Sequence, residues 1–419
     1  VSKKIKVLMI ADHPLAPSGV GTQTKYIAEA LLKTGKFSIV NLGGAVKHPD
    51  YKPQSIGEWG EDWRIFPVDG YGNAEIVRSI MRTEKPDILW FMTDPRFFEW
   101  LWMIEHEIRP CAPMVYYHVW DNFPAPRFNR NSYLSNDVIA TISKVTDQIV
   151  KEVAPEVKSI YMPHAVDSQI FSPLTDQEIQ DFREENMPQM KDKFIFFWNN
   201  RNARRKQSGS LLWWFNDFLD KVGRDKACLL LHTDPHDHNG QDLNAIVKEL
   251  NLDKGQVYIS KEKVPPEHLS ILYNAVDCTI NISDAEGFGL ATLESLSCGT
   301  PIVVNMTGGL QEQITNGTDW FGVPIFPTSK AIIGSQSVPY IYEDRIDRNQ
   351  FVSALTKIYE ASPDSRKEMG LLGREHVMKN YNFINFQKKW VKLMESVYEN
   401  NGSWQTRKNY NGIRFGEIT

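Results

Sequence analysis

Short apolar runs alternate with amphipathic stretches twice over in this chain, and no other feature constrains its fold as strongly. In the first 165 residues, Ile5 to Ile10, Ser38 to Leu42, Asp87 to Met92, Pro113 to His118 and Val138 to Ile142 have strand character. Between them, Thr22 to Lys33, Ala74 to Thr83, Arg96 to Glu107 and Lys144 to Val153 carry apolar residues at helical spacing. Strands interleaved with helices imply a parallel sheet with helices on both faces.

The Pro-punctuated stretch YMPHAVDSQIFSP, from Tyr161 to Pro173, interrupts the pattern before an acidic, polar run from Thr175 to Lys193. It is the expected hinge. The alternation then restarts with strands at Phe194 to Trp198, Ala227 to Leu231, Val257 to Ile259, Cys278 to Asn281 and Ile302 to Val304. Beyond Asp344 the chain is expected to be helical to Tyr359, from Ser365 to Lys379 and from Phe383 to Tyr398, before a polar tail from Asn400. At 419 residues the chain exceeds what one core sustains, so the fold class is α/β in two Rossmann-like domains. Ligands bind beyond the carboxyl ends of strands in such sheets, so two facing halves would form a cleft between them.

Composition narrows the function. A net charge of −5 disfavours nucleic acid as a partner. No segment reaches the ~20 apolar residues of a spanning helix, so the expected location is cytoplasmic, with membrane contact limited to peripheral association. Cys111, Cys228, Cys278 and Cys298 lack C-x-x-C spacing and are expected to be free thiols in a reducing compartment.

The most specific segment is SDAEGFGLATLE, from Ser283 to Glu294, which follows the strand CTINI. Gly287 and Gly289 allow close backbone approach to a ligand, and a helix expected from about Leu290 presents unpaired N–H groups to a phosphate. Glu286 and Glu294 fall on the loop and in the helix, and suit separate hydroxyl-accepting roles better than an acid–base pair. After the first strand of the second half, NNRNARRKQSG places Arg201 and Lys206 five residues apart, two cations suited to a diphosphate leaving group. In the first half, PSGVGTQTKY supplies Gly19 and Gly21 ahead of a helix expected near Thr22, without a P-loop or G-x-G-x-x-G pattern. His118 ends a strand, and Trp120, Asp121 and Phe123 follow it. Phe97, Phe98, Trp100 and Trp102 are expected to be mostly core. HTDPHDHNGQD, residues 232–242, looks like a metal cluster because His232, His236 and His238 stand beside Asp234 and Asp237.

E-G-F-G-L followed by Glu294, then C-G-T-P and G-G-L-Q-E, resembles the retaining GT-B glycosyltransferases of family 4, the glycosyl transferases group 1. Glu286 and Glu294 match that family's E-x7-E element, and Arg201 and Lys206 its Arg–Lys pair, although Gln207 stands where a glycine commonly follows the lysine. The stretch P-H-A-V-D-S-Q-I-F resembles its P-N-G-V-D-x-x-x-F element with His164 and Ala165 substituted, and Ser143 also fits. The resemblance implies an amino-terminal acceptor-side domain, residues 1–170, joined by a carboxyl-terminal helix at about 383–419, and a nucleotide-sugar domain, residues 171–382.

It further implies a hexosyltransferase-like enzyme moving sugar, with retention, from a UDP- or GDP-linked donor to a glycan, lipid-linked or small-molecule acceptor, without cofactor or metal. By that resemblance His118, Glu286, Arg201 and Lys206 are catalytic, and Gly19, Gly21, Gly287, Phe288, Gly289, Leu290, Ala291 and Glu294 bind donor with the Arg–Lys pair. Trp120, Asp121 and Phe123 are candidate acceptor contacts. A same-fold phosphorylase or epimerase, and a non-catalytic sugar-nucleotide binder, stay open alternatives.

Overall fold

The computed structural model describes residues 3–410. The chain divides into two compact units. The first runs to His164 and takes in Ser335–Pro339 and the chain from Ile384; the second comprises Ala165–Gly334 and Tyr340–Phe383. The break therefore falls inside the Pro-punctuated stretch, between His164 and Ala165. Residues 411–419, the end of the expected carboxyl-terminal segment, lie outside the described residues.

The first unit is built on β1 (Ile5–Asp12), β2 (Phe37–Gly44), β3 (Gln54–Ile56), β4 (Gly60–Pro67), β5 (Ile88–Thr93), β6 (Met114–His118), β7 (Val138–Thr141) and β8 (Lys158–Tyr161). Their order is β3-β4-β2-β1-β5-β6-β7-β8, parallel except for β3 against β4. Three of these strands were not among those expected. β4 buries Trp63, Ile65 and Pro67 in strict alternation, a signal masked by the interleaved Asp62 and Arg64. β3 and β8 are short edge strands with polar ends.

Two helix starts of this unit follow serine side-chain caps. Ser18 accepts from Gly21 N ahead of helix 19–32, which begins three residues before the expected Thr22. Ser143 caps helix 144–153 in the same way. The single helix expected from Arg96 to Glu107 is instead a 3₁₀ turn at Pro95–Phe97 and two short helices, Glu99–Met103 and Glu105–Ile108. Phe98 and Ile104 leave helical geometry between the pieces, and Phe98 is fully buried edge-on to Phe91. Helix 383–401 buries Phe386, Trp390, Leu393, Met394 and Val397, and Trp390 meets Tyr117 and Trp90 at centroid distances of 4.7 and 6.0 Å.

The second unit carries β9 (Phe194–Asn199), β10 (Ala227–His232), β11 (Val257–Ser260), β12 (Cys278–Asn281), β13 (Ile302–Asn305) and β14 (Gly322–Ile325), all parallel in the order β11-β10-β9-β12-β13-β14. A separate antiparallel hairpin, β15 (Ser329–Ile333) with β16 (Ile341–Arg345), follows. The core of the second unit joins Phe196, Trp198, Leu229, Leu231, Ile280 and Val303 to Phe215 and Phe218 of helix 208–222. The polar run after the hinge is a helix, Asp176–Asn186, with no buried residue. A Thr175–Glu178 capping box starts it, and Arg183 ties it to Asp277 at 3.0 Å. No helix among the described residues is long and apolar enough to cross a membrane.

Candidate functional site

In the second unit, the chain runs outward from β9 through β10 to β11 and then returns to lay β12 on the other side of β9. This reversal makes the carboxyl ends of β9 and β12 the expected ligand-binding edge. The loop leaving β9 carries Lys206 and the loop leaving β12 carries Glu286. Their side chains form a buried ion pair, Lys206 Nζ to Glu286 Oε2, each side chain 10% exposed. Asn281 Nδ2 and Ser283 Oγ also donate to Glu286 Oε2, at 3.2 and 3.3 Å, and the Arg205 guanidinium stands 4.0 Å from Oε1. Burial opposes the charge on Glu286, but Lys206, then Arg205 and the hydrogen bonds, outweigh it and hold the carboxyl at about 2. An ionised carboxylate accepts hydroxyl protons in hydrogen bonds and has none to give.

The segment after Glu286 is almost wholly buried except on one stripe. Gly287, Leu290, Ala291 and Glu294 are part-exposed, while Phe288, Gly289, Thr292 and Leu293 are buried. Those spacings of three and four put the accessible residues on one face of helix 290–297, beside its amino terminus. Gly289 makes the entry possible: its φ is +90°, and an added Cβ would lie 2.6 Å from Leu310 Cδ2. Phe288 packs edge-on to Tyr381, and its carbonyl accepts from Gln313 Nε2 at 2.6 Å.

Glu294 accepts from Tyr273 OH at 2.8 Å, and Asn199 Nδ2 donates to that tyrosine oxygen at 2.8 Å. Burial raises the Glu294 pKa to about 7, with the tyrosine hydrogen bond opposing the rise. The folded protein therefore keeps a proton that the unfolded chain releases near 4.5, and stability falls as pH rises between those values. Glu294→Gln, which cannot ionise, is expected to gain about 1–2 kcal/mol over wild type near pH 8 and nothing near pH 4, measured by urea unfolding.

Two other cations of the β9 loop, Arg201 and Arg204, are engaged elsewhere. Arg201 forks onto Asp237, Nε to Oδ2 at 2.6 Å and Nη2 to Oδ1 at 3.3 Å, with its side chain 63% exposed. Arg201 and Lys206 are thus not brought onto a common point. Arg204 makes a bidentate pair with Glu343, which sequence reasoning did not single out. Gln207 adopts the left-handed conformation, φ 59° and ψ 32°, which a glycine would take without strain. Its amide spans Asp284 and Ser210.

In the first unit, Gly21 sits tightly under the turn after β1: an added Cβ would lie 2.7 Å from His13 O and 2.8 Å from Ala16 O. It serves the turn, while Gly19 is exposed at the first helical position. His118 has no exposed surface, and its ring nitrogens are partnered by Tyr116 OH at 3.0 Å and Tyr133 OH at 2.7 Å. Burial lowers its pKa to about 3. The expected sugar-facing histidine is therefore a neutral ring inside an aromatic core. Trp120 is likewise corrected: it is 4% exposed, with its indole N–H donated to Asn122 O at 2.9 Å, so its ring is not open for stacking. Asp121 and Phe123 are part-exposed. The substituted His164 is buried, its Nδ1 2.7 Å from Tyr117 OH.

His232 meets Ser260 Oγ at 3.0 Å, Asp242 caps helix 243–249, Asp237 holds Arg201, and His236 and His238 face solvent. Among the described residues no group of three His, Cys, Asp or Glu side chains is placed to hold a metal ion. The four cysteines are unpaired.

Residues 181–357 match the family described as glycosyl transferases group 1. The D-inositol 3-phosphate glycosyltransferase of Corynebacterium jeikeium is 27% identical over 183 residues, 43% of each chain. The N-acetyl-alpha-D-glucosaminyl L-malate synthase of Bacillus anthracis is 24% identical over 115 residues, 27% of this chain and 29% of that one. The matches thus span less than half the length of these curated relatives. Among solved structures, sucrose-phosphate synthase from Thermosynechococcus elongatus superposes with a TM-score of 0.75 at 16% identity, covering 95% of this chain and 100% of that one. Anabaena Alr3699/HepE in complex with UDP and glucose gives 0.67 at 14% identity, covering 94% and 100%. Residues 181–357 thus resemble the glycosyl transferases group 1, and the fold of the chain is GT-B, an α/β architecture of two Rossmann-like domains.

Proposed function

We propose that this chain is a retaining glycosyltransferase that moves a sugar from a nucleoside diphosphate-sugar to an acceptor hydroxyl. The observation that carries the reading is the Lys206–Glu286 pair at the strand-reversal edge, set next to the part-exposed stripe of Gly287, Leu290, Ala291 and Glu294. The fold of a protein that holds UDP and glucose lends support.

In this reading the stripe receives the nucleoside, with Glu294 accepting from the ribose hydroxyls. The amino end of helix 290–297 and the Lys206 ammonium receive the diphosphate, whose charge grows as the glycosidic bond breaks. Glu286, kept ionised, accepts from sugar hydroxyls and fixes the orientation of the ring. Arg201 joins the diphosphate by leaving Asp237, an exchange its exposure permits. His118 serves the packing of the first unit. The sugar is UDP- or GDP-linked, no metal or cofactor takes part, and the acceptor is a glycan, a lipid-linked sugar or a small molecule. The proposed setting is cytoplasmic.

Calorimetric titration with UDP, GDP and their common sugar conjugates tests this. One nucleotide is expected to bind in the micromolar range, and Glu294→Ala to weaken it about 10–100-fold through the lost hydrogen bonds to the ribose. Unchanged affinity in both Glu294→Ala and Lys206→Ala would reject the site.

A further inference from the structure

The loops that carry Lys206 and Glu286 are not held together by that ion pair alone. Two residues before each of its members stand Arg204 and Asp284, and both are bound by the hairpin β15–β16. Glu343 of β16, with a side chain 2% exposed, takes the Arg204 guanidinium in two hydrogen bonds, Nη1 to Oε2 at 3.0 Å and Nη2 to Oε1 at 2.6 Å. Its Oε2 also accepts from Arg345 Nη2 at 2.8 Å, and Arg345 Nε lies 3.3 Å from Oδ2 of the buried Asp284. The backbone repeats the link: Asp344 N donates to Asp284 O at 2.9 Å, and Asp284 N to Arg205 O at 2.8 Å. Asp344 also fastens the loop after β13, accepting from Thr307 Oγ1 at 2.7 Å on its carboxylate and from Asn305 Nδ2 at 3.1 Å on its carbonyl.

We propose that Glu343 is a positioning residue for the donor site: through Arg204 on one side and Arg345–Asp284 on the other, it fixes the separation of the two loops that present Lys206 and Glu286 to the diphosphate-sugar. The inference rests on the donor site proposed above. A solvated hairpin has no need of a buried carboxylate shared by two arginines, since such a group is stable only while both partners stay in place. The arrangement is bidentate on Arg204, which fixes direction as well as distance. Glu343 lies opposite Ala331 in the hairpin register, so the small partner side chain leaves room for the guanidinium groups. Glu343 touches no substrate in this scheme. Its effect is confined to the part of the donor that meets Lys206 and Glu286, and the nucleoside stripe on helix 290–297 lies outside it.

That division supplies the test. Glu343→Gln keeps the shape and one acceptor but loses the charge, and Arg204→Gln removes the partner from a half-exposed position, so that a folded variant is secured. Binding of the UDP- or GDP-sugar preferred by wild type is measured by calorimetry, and binding of the free nucleoside by saturation-transfer NMR. The expected result is a loss of about 10–30-fold for the diphosphate-sugar in either variant, with nucleoside binding within about 2-fold of wild type. Equal losses for both ligands would mean a general structural role, and no loss for the diphosphate-sugar would mean a surface contact; each overturns the inference. Wild-type protein that binds no nucleotide-sugar at all would overturn the donor-site reading and this inference with it, a result distinguishable from the other two.

Discussion

Lys206→Ala is expected to lower the rate of sugar transfer by about 10²–10³-fold, the usual loss when one preorganised charge facing a developing anion is removed. The same substitution should destabilise the protein, because it strands a carboxylate. Glu286 is buried, and Lys206 is the largest influence holding it ionised. Asn281 and Ser283 donate only at 3.2 and 3.3 Å, and Arg205 is 4.0 Å away, so they replace little of it. Breaking one side of a buried pair costs about 3–5 kcal/mol.

The sign with pH separates the two effects. In wild type the Glu286 pKa lies below its ordinary 4.5, so its contribution is present above that value and is lost as pH falls through the folded pKa near 2. In the variant, burial dominates and the pKa moves up, so the variant loses stability as pH rises. Urea unfolding near pH 5 and pH 8 should therefore show a larger gap from wild type at the higher pH. Lys206→Ala combined with Glu286→Gln should regain much of the stability and none of the activity. A double variant no more stable than Lys206→Ala would show that the pair does not bear on folding as described.

How much of this was legible without coordinates differs from element to element, for physical reasons. Val7 to Ile10 is a buried apolar run and Cys278 to Asn281 is buried at every position, and such runs announce themselves. β4 shares one face with charge, and the hairpin β15–β16 consists of two five-residue strands with little apolar contrast. Both were missed for that reason. The helix start at Leu290 was legible because glycines after a strand mark the turn ahead of it, whereas the choice of accessible side chains was not. His118 was not, since a histidine at a strand end has the same sequence context whether its ring faces solvent or, as here, two tyrosines.

Pairing at long range is the least visible feature. Arg201 meets Asp237 and Arg204 meets Glu343 across separations of 36 and 139 residues, and nothing local marks either partner. Spacing therefore placed Arg201 beside Lys206 in chemical role, whereas the folded loop sends the two side chains to different carboxylates. Gln207 is an intermediate case. Its position was marked as one where glycine is common, and the reason is the left-handed backbone seen there.

Gly309→Ala is expected to have the second large effect, and it acts through space alone. Gly309 has φ −69°, which alanine adopts freely, so the backbone itself raises no objection. The obstacle is the neighbouring loop: a Cβ here would lie 2.6 Å from Phe288 Cα, 2.7 Å from Gly287 O and 2.8 Å from Phe288 O. Every one of those atoms is backbone, and none can swing aside as a flexible side chain does. Gly309 N also donates to Glu286 O at 3.0 Å, so the two loops cannot part without losing that bond. Restoring ordinary contact requires a shift of nearly 1 Å in the segment that joins Glu286 to helix 290–297, and a misplacement of that size costs about 10²-fold in catalysis. Nucleotide-sugar affinity should fall with the rate, because the moved backbone is the proposed diphosphate platform. Activity in Gly309→Ala within a few-fold of wild type would mean that the loop from Glu286 to Gly289 tolerates displacement, and that the close packing of these two loops is not what sets the donor geometry.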